Sequence, residues 1–319
     1  MFNILLLFVS ILYFSSADAS KAYITNEKDN TLSVIDIDKR KVIKTIDIGQ
    51  RPRGITMTKD GKLVLICASD DDRVEVRDAE TLKLKYHLPS GPDPELFVRA
   101  PDDSVLYSAN EDDAMVTVVE MNERMIIDDI PVGVEPEGMG LTNNGAVLVN
   151  TSETTNMAHF IDTETLNIVE NVLVDARPRV AMFTPNDEEV WVSSEIGGTV
   201  KVINPNSKAV THTIGFEIPG VNEESIQPVG VKHTNDGKYT FVALGPANRV
   251  AVIDQKTKEI IKYLLVGQRV WQLAFSNDQK TLLSTNGVSN DVSFINVEKL
   301  KVEKSVKVGR FPWGVVISP

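Results

Sequence analysis

One short segment recurs along this chain of 319 residues, and its period limits the folds that the chain can adopt. In its first copy, residues 51–61, a proline opens a short apolar run that ends at a Lys-Asp-Gly turn. Equivalent copies open at six later positions, with valine replacing proline once: Pro94, Pro136, Pro178, Pro228, Val270 and Pro312. The first four prolines, starting from Pro52, are 42 residues apart. A period in the low forties is typical of propeller blades.

Each repeat contains three further segments in which apolar residues alternate with small or polar ones. In the first repeat these are residues 22–26, 31–36 and 41–46. Alternation in runs of four to six residues between turn residues predicts short antiparallel strands. An acid or amide closes the third strand of every repeat, at Asp36, Asp78, Glu120, Asp162, Asn204, Asp254 and Asn296. These positions are 42 residues apart except for one step of 50, so eight extra residues precede Pro228.

Seven four-stranded repeats predict an all-β fold, a seven-bladed β-propeller that occupies residues 20–319 as one domain. The repeats begin at a second strand, residues 22–26, and finish with a first strand, residues 313–318. We therefore expect the C-terminal strand to pair with the N-terminal three strands and close the ring. Closure would remove the exposed sheet edges that the alternative, an open solenoid of the same repeats, would present.

Residues 1–19 do not follow the repeat. Residues 4–14 are almost wholly apolar, and residues 17–19, Ala-Asp-Ala, provide the small-x-small pattern of a cleavage site. This pattern predicts a secretory signal peptide, a mature chain that starts at Ser20, and a periplasmic or secreted protein. A retained anchor is the alternative, although about eleven apolar residues are fewer than the roughly twenty that span a bilayer. No membrane span is predicted after removal of the signal.

Composition and motifs exclude several classes of function. The chain has 33 basic and 45 acidic residues, a net charge of −12, which argues against nucleic acid or anionic lipid as a partner. Cys67 is the one cysteine, so no disulfide can form within the chain. The four histidines lie in separate repeats without metal-type spacing, and motifs for covalent haem, a nucleophilic serine or a phosphate loop are absent. We therefore predict no catalytic residue, no metal and no cofactor.

Residues 22–26, 32–36 and 52–55 resemble the YVTN family of β-propeller repeats, and the resemblance covers the chain from residue 20 onward. The Tyr-x-x-Asn element matches the family pattern best in the first repeat, and later repeats depart from it. The seven-repeat, signal-bearing layout is most similar to secreted propellers associated with PQQ-dependent alcohol catabolism. The resemblance implies a periplasmic, non-enzymatic binding or accessory protein beside a quinoprotein dehydrogenase, although a fold alone does not establish an activity.

The residues that flank each opening proline are predicted to line the mouth of the channel, because the first strand of a blade lines the propeller axis. These residues differ from blade to blade, with two acidic blades between two arginine blades and aromatic residues on the opposite arc. The candidate ligand-binding residues are Arg51, Arg53, Glu95, Glu137, Arg177, Arg179, Arg269, Trp271, Arg310, Phe311 and Trp313.

Three hypotheses fit this ring. Arg53–Glu95 and Glu137–Arg179 can be ion pairs between blades, each contributing roughly 0–1 kcal/mol if exposed. The aromatic residues and arginines can instead bind a small anionic or aromatic molecule. The third hypothesis is a metal held by Glu95 and Glu137.

The insertion, residues 216–226, is expected over the same face, as a lid, a docking element or a neutral loop. The expected partner is a small organic ligand or a periplasmic protein. The alternative function is a lactonase-type hydrolase that uses the carboxylates and arginines of the funnel.

Overall fold

The computed structural model describes residues 20–319, so the predicted signal segment lies outside the described residues. Blade 1 comprises β28 (Pro312–Ile317), β1 (Lys21–Asn26), β2 (Thr31–Asp36) and β3 (Lys41–Asp47). Blade 2 comprises β4 (Pro52–Met57), β5 (Leu63–Ala68), β6 (Arg73–Asp78) and β7 (Leu84–Pro89). Blade 3 comprises β8 (Pro94–Arg99), β9 (Val105–Asn110), β10 (Met115–Glu120) and β11 (Met125–Pro131). Blade 4 comprises β12 (Pro136–Leu141), β13 (Val147–Ser152), β14 (Met157–Asp162) and β15 (Asn167–Leu173).

Blade 5 comprises β16 (Pro178–Phe183), β17 (Val190–Ser194), β18 (Thr199–Ile203) and β19 (Val210–Gly215). Blade 6 comprises β20 (Pro228–His233), β21 (Tyr239–Leu244), β22 (Arg249–Asp254) and β23 (Ile260–Leu265). Blade 7 comprises β24 (Val270–Phe275), β25 (Thr281–Asn286), β26 (Asp291–Asn296) and β27 (Lys301–Lys307). Three short 3-10 turns complete the described elements: Ser69–Asp71, Glu223–Ser225 and Gly245–Ala247. No helix in residues 20–319 is long and apolar enough to span a membrane.

The predicted fold and ring closure are both confirmed. Seven antiparallel sheets of four strands are present, and the last strand, β28, pairs antiparallel with β1, which places Ile24 opposite Val315. The backbone N–H of Ser318 also donates to the carbonyl of Lys21 at 2.8 Å. The ends of the described chain therefore complete one blade between them.

Each blade is buried on its inner three strands and exposed on its fourth. β1 and β2 are almost entirely buried, whereas β3 is mostly exposed, as its alternating lysines predict. Apolar clusters lie between neighbouring blades, and buried polar groups find partners across the same interfaces. The Tyr23 hydroxyl, for example, donates to the Ala79 carbonyl of the next blade at 2.8 Å. Burial of these apolar interfaces stabilises a ring that has no disulfide.

In four blades a glycine stands two residues after the opening proline, where adjacent inner strands approach closely; the other three blades carry Leu96, Val180 and Gln272 at this position. A Cβ added at Gly54 would lie 2.5 Å from the Glu95 carbonyl oxygen of the next blade. The same clash would occur at Gly138, 2.5 Å from the Arg179 carbonyl, so a larger residue would separate the blades. This contact explains the Pro-x-Gly pattern of the repeat.

Candidate ligand site at the channel mouth

The residue before each inner strand presents its side chain at the mouth from an uncommon backbone conformation. In six blades this residue lies in the left-handed region, with φ between 46° and 59°: Arg51, Asp93, Glu135, Arg177, Arg269 and Phe311. In five of them its N–H donates to an Asn or Asp side chain of the preceding blade, as Arg51 does to Asn30 at 2.9 Å. This hydrogen bond stabilises a conformation that costs roughly 1–2 kcal/mol for most residues. The backbone is therefore similar around the ring while the side chains differ.

Both predicted ion pairs between blades are present. Arg53 Nη1 lies 2.5 Å from Glu95 Oε2, and Arg51 Nη1 lies 3.2 Å from Glu95 Oε1. On the other side of the acidic blades, Arg179 Nη2 lies 3.0 Å from Glu137 Oε1. Glu95, Glu137 and Arg179 are almost completely buried. These are therefore interior ion pairs, whose loss would leave buried charges, and not the exposed pairs of small value that the sequence suggested.

Four glutamates at the mouth are missing from the predicted ligand-binding residues, although the sequence places the acidic turns of Glu27 and Glu111 on this face. Glu27, Glu111, Glu153 and Glu195 each follow a second strand, at the turn that returns the chain to the mouth. Arg179 contacts Glu153 and lies 3.7 Å from Glu195, so three buried carboxylates surround one guanidinium. The signal was present in the sequence, because these positions are spaced by multiples of 42 residues. The residues that flank the opening prolines therefore form only one part of the ring of side chains at the mouth.

We use the term acidic arc for the carboxylates of blades 3 and 4: Asp93, Glu95, Glu111, Glu135, Glu137 and Glu153. Burial raises the pKa of Glu137 to about 8 despite the opposing effect of Arg179. Burial likewise raises the pKa of Asp93 to about 6, and it holds the pKa of Glu95 well above its usual range. The Arg179 guanidinium has a raised pKa because Glu137, Glu153 and Glu195 outweigh its own burial. The arc therefore holds protons at a pH where free carboxylates are ionised.

The aromatic arc consists of Trp271, Phe311 and Trp313 on blades 7 and 1. The ring centroids of Trp271 lie 6.5 Å from Phe311 and 6.3 Å from Trp313. The Arg269 guanidinium stacks 4.0 Å from the Trp271 ring, and that of Arg53 lies 5.8 Å from the Trp313 ring. The buried indole Nε1 atoms of Trp271 and Trp313 have no hydrogen-bond partner within residues 20–319. The aromatic arc therefore has two unsatisfied donors beside two cations.

Glycine makes room for the aromatic arc at the position where four of the other five blades carry glutamate and blade 2 carries Ser69. Gly245 and Gly287 occupy the turn after the second strand in blades 6 and 7. A Cβ on Gly245 would lie 2.9 Å from Arg269 Nη1, and one on Gly287 would lie 2.7 Å from Trp271 Nε1. Arg269 uses this space to reach blade 5, where its Nη2 lies 2.5 Å from Glu195 Oε1.

Contacts connect all of the predicted mouth residues except Arg310. Its side chain is 68% exposed and pairs with Asp29 at the outer rim, at 2.5 Å. Arg177 bridges Glu153 at 2.7 Å and Glu195 at 3.3 Å, so it belongs to the same network as Arg179.

The insertion, residues 216–226, connects a fourth strand to a first strand and therefore lies on the face of the mouth. It packs on the outer strand of blade 6, where the N–H of Glu217 donates to the Tyr263 hydroxyl at 3.2 Å. The next residue, Gln227, accepts a hydrogen bond from Arg269 at 2.7 Å. A cavity of about 940 Å³ separates the insertion from the turn at Ile196. The insertion borders the mouth and does not cover Trp271.

Two groups of three carboxylates have the spacing of cation ligands, and both include Glu111. They are Asp93, Glu95 and Glu111, and Glu111, Glu135 and Glu153, with ligand oxygens within 4.8 Å of one another. Among residues 20–319 neither group includes Glu137, the residue that the sequence paired with Glu95 for a metal. Neighbouring arginines already neutralise most of these carboxylates, so we assign no metal.

Comparison with known proteins identifies the fold. No family model matches the sequence, and no curated protein matches it. A protein of unknown function from Desulfotomaculum acetoxidans is similar, with 16% identity, a TM-score of 0.80, and coverage of 93% of this chain and 98% of that one. A candidate 6-phosphogluconolactonase from Bacteroides uniformis has 15% identity, a TM-score of 0.79, and coverage of 94% and 99%. Hydrazine synthase from Kuenenia stuttgartiensis has 18% identity, a TM-score of 0.78, and coverage of 86% and 92%.

The chain is a seven-bladed β-propeller. At these identities the similarity extends to the fold alone, so an activity has to be argued from the site.

Proposed function

We propose that this propeller is a non-enzymatic binding protein that holds a small organic molecule against the aromatic arc. The observation that carries the proposal is the pair of buried indole N–H groups, Trp271 and Trp313, without an acceptor in residues 20–319. An unsatisfied buried donor costs roughly 1–3 kcal/mol. A carbonyl or carboxylate oxygen of a ligand would accept these hydrogen bonds; Arg269 and Arg53 lie beside the rings, each also paired with a glutamate of the ring.

The state of the carboxylates supports binding over catalysis. Glu95 and Glu137 each face an arginine, at 2.5 Å and 3.0 Å, and neither is exposed to solvent. A general base needs a carboxylate that can accept a proton within reach of the substrate. Carboxylates that are held by guanidinium groups in the interior meet this requirement poorly.

One observation favours a hydrolase as the second candidate. Burial raises the pKa of Glu137 although Arg179 opposes this effect, and a raised pKa is the direction of shift that a general acid requires. A lactonase-type reaction would use Glu137 to protonate the leaving oxygen.

The cellular context is proposed from the repeat resemblance alone. We infer a periplasmic or secreted protein that works with a PQQ-linked alcohol oxidation system, as the similar secreted propellers imply. PQQ is a planar quinone that carries carboxylates, which matches the chemistry of the aromatic arc. A small ligand of this class or a periplasmic protein is the proposed partner.

The proposal is tested by calorimetry with PQQ and benzoate, using the protein without residues 1–19. We expect one of them to bind at the mouth and to raise the melting temperature by on the order of 4 °C at a hundredfold excess over Kd. Trp271→Phe keeps the ring but removes the donor, and should weaken binding about tenfold. Trp271→Ala should abolish detectable binding.

The matched control is Tyr86→Ala, which removes an aromatic residue from the outer strand of blade 2. Binding that is lost equally in this control, or retained in Trp271→Ala, would disprove the assignment. Turnover of gluconolactone that disappears in Glu137→Gln would instead establish the hydrolase.

A further inference from the structure

A chamber lies on the propeller axis below the mouth. It has a volume of about 410 Å³, within the size range of small-molecule sites. Trp313 belongs to its lining at the mouth end, whereas Pro101, Thr142 and Asn143 belong to turns at the opposite face. The chamber therefore extends from beneath the aromatic arc to the far side of the ring.

Apolar and polar groups form about equal parts of the wall of this axial chamber. The inner strands contribute aliphatic and thioether side chains from most blades: Ile55, Leu96, Val98, Met139, Val180, Met182 and Leu273. Among the polar side chains, Thr56 and Gln272 come from the strands beside blade 1. Such a wall suits a ligand that combines an apolar body with a polar group.

Two cations line the chamber, and their surroundings differ. Arg99 is neutralised, because its Nε donates to the Met57 carbonyl at 2.7 Å and its Nη1 lies 2.7 Å from Asp103 Oδ1. Lys232 lies on the inner strand of blade 6, and its side chain forms no hydrogen bond and no ion pair within residues 20–319. Burial lowers the pKa of the Lys232 ammonium, and no carboxylate opposes that effect.

Lys232 is also an exception to the repeat. The equivalent positions of the other blades carry uncharged residues: Thr56, Val98, Gly140, Met182, Ala274 and Val316. A half-buried ammonium without a counter-ion is unfavourable, and an apolar residue of similar size would be tolerated here. The packing of blade 6 does not require the charge of Lys232. We therefore expect this charge to have a function in the axial chamber.

We propose that the axial chamber binds a small monocarboxylate with an apolar body, whose carboxylate pairs with the Lys232 ammonium. One cation matches one negative charge, and the apolar side chains of the wall accept an alkyl or aryl body. Gln272 and Thr56 place further polar groups in the same wall. This site shares Trp313 with the aromatic arc but depends on Lys232, whereas the function proposed for the arc depends on Trp271, so variants of these two residues test the two proposals separately.

The test uses sodium hexanoate as the probe, with calorimetry on the propeller without residues 1–19. We expect binding of one hexanoate per chain. The neutral analogue 1-hexanol should bind at least tenfold more weakly, because it lacks the charge that Lys232 neutralises. Hexylamine should not bind. Equal affinity for hexanoate and hexanol, or no binding of hexanoate, would overturn the proposal.

Variants assign the binding to Lys232. Lys232→Met removes the charge at similar length and should weaken hexanoate binding about 10- to 100-fold while leaving the chain folded. Lys232→Arg should retain most of the affinity. Lys262→Met is the matched control, since it removes an exposed lysine from the outer strand of the same blade. Wild-type affinity in Lys232→Met, or an equal loss in Lys262→Met, would show that the carboxylate lies elsewhere.

Discussion

The acidic arc and the aromatic arc occupy opposite sides of one mouth and share one backbone, yet they satisfy their polar groups in different ways. In the acidic arc, buried carboxylates are neutralised by arginines of the protein itself, as Glu137 is by Arg179. In the aromatic arc, Trp271 and Trp313 retain donors without partners in the described chain. The acidic arc offsets charge with charge, although both Glu137 oxygens also lack hydrogen-bond partners within residues 20–319, whereas the aromatic arc holds unpaired neutral donors beside its rings. We therefore expect the acidic arc to contribute mainly to stability and the aromatic arc to contribute mainly to recognition.

The largest expected effect follows from removal of Arg179, the buried cation that lies among three glutamates. Arg179→Met would leave Glu137, Glu153 and Glu195 buried near one another with less compensation. We expect the free energy of unfolding, measured in urea at pH 7, to fall by about 3–5 kcal/mol.

Arg177→Met is the matched control, because Arg177 contacts Glu153 and Glu195 but its side chain is 44% exposed. Its cost should be below about 1 kcal/mol. Similar costs for the two variants would show that the acidic arc does not depend on a buried cation.

The second effect is a pH dependence that belongs to the acidic arc alone. The pKa of Glu137 is about 8 in the folded chain, against 4.5 for an ordinary glutamate. Between these values the folded state binds more protons than the unfolded state, so stability falls as the pH rises toward 8. From pH 5.5 to pH 8.5 the wild type should lose about 2–4 kcal/mol more than Glu137→Gln does.

Glu123→Gln, at an exposed turn, should leave the wild-type pH profile unchanged. A Glu137→Gln profile that runs parallel to the wild type between pH 5.5 and pH 8.5 would contradict the assignment of a raised pKa to Glu137.

The smallest effect concerns the space around the aromatic arc. In Gly287→Ala the new Cβ would lie 2.7 Å from Trp271 Nε1, so the indole must shift. We expect a loss of about 1–3 kcal/mol in stability and a change in tryptophan emission. Gly215→Ala is the control, because a Cβ there meets no atom within 4 Å. An unchanged emission spectrum in Gly287→Ala would show that the glycine does not set the position of Trp271.

The sequence predicted the fold because the repeat is a local pattern. A 42-residue period, alternation in each strand and the position of the prolines determine blade number, blade order and ring closure together. The same logic predicted Arg53–Glu95 and Glu137–Arg179, because equivalent residues of adjacent blades lie side by side.

Contacts that cross the ring could not be predicted in this way. Arg269 reaches Glu195 two blades away, and it does so through the space above Gly245. In the sequence, Lys232 is one charged residue in an alternating strand. Its position in the axial chamber results from closure of the ring, so the local pattern could not predict it. Arg310 lies two residues before Pro312, one position outside the flanks that line the mouth, and its pairing with Asp29 holds it at the rim.

The pairing of β28 with β1 has a consequence for how the ring comes apart. It joins residues that are 297 positions apart, as the hydrogen bond from Lys21 to Ser318 shows. Closing a segment of that length costs roughly 3 kcal/mol more chain entropy than closing a ten-residue hairpin. We therefore expect the pairing of β28 with β1 to form last during folding. Once it has formed, no blade has a free edge at which unfolding can start. We therefore expect the opening of this seam to limit the rate at which the folded ring unfolds.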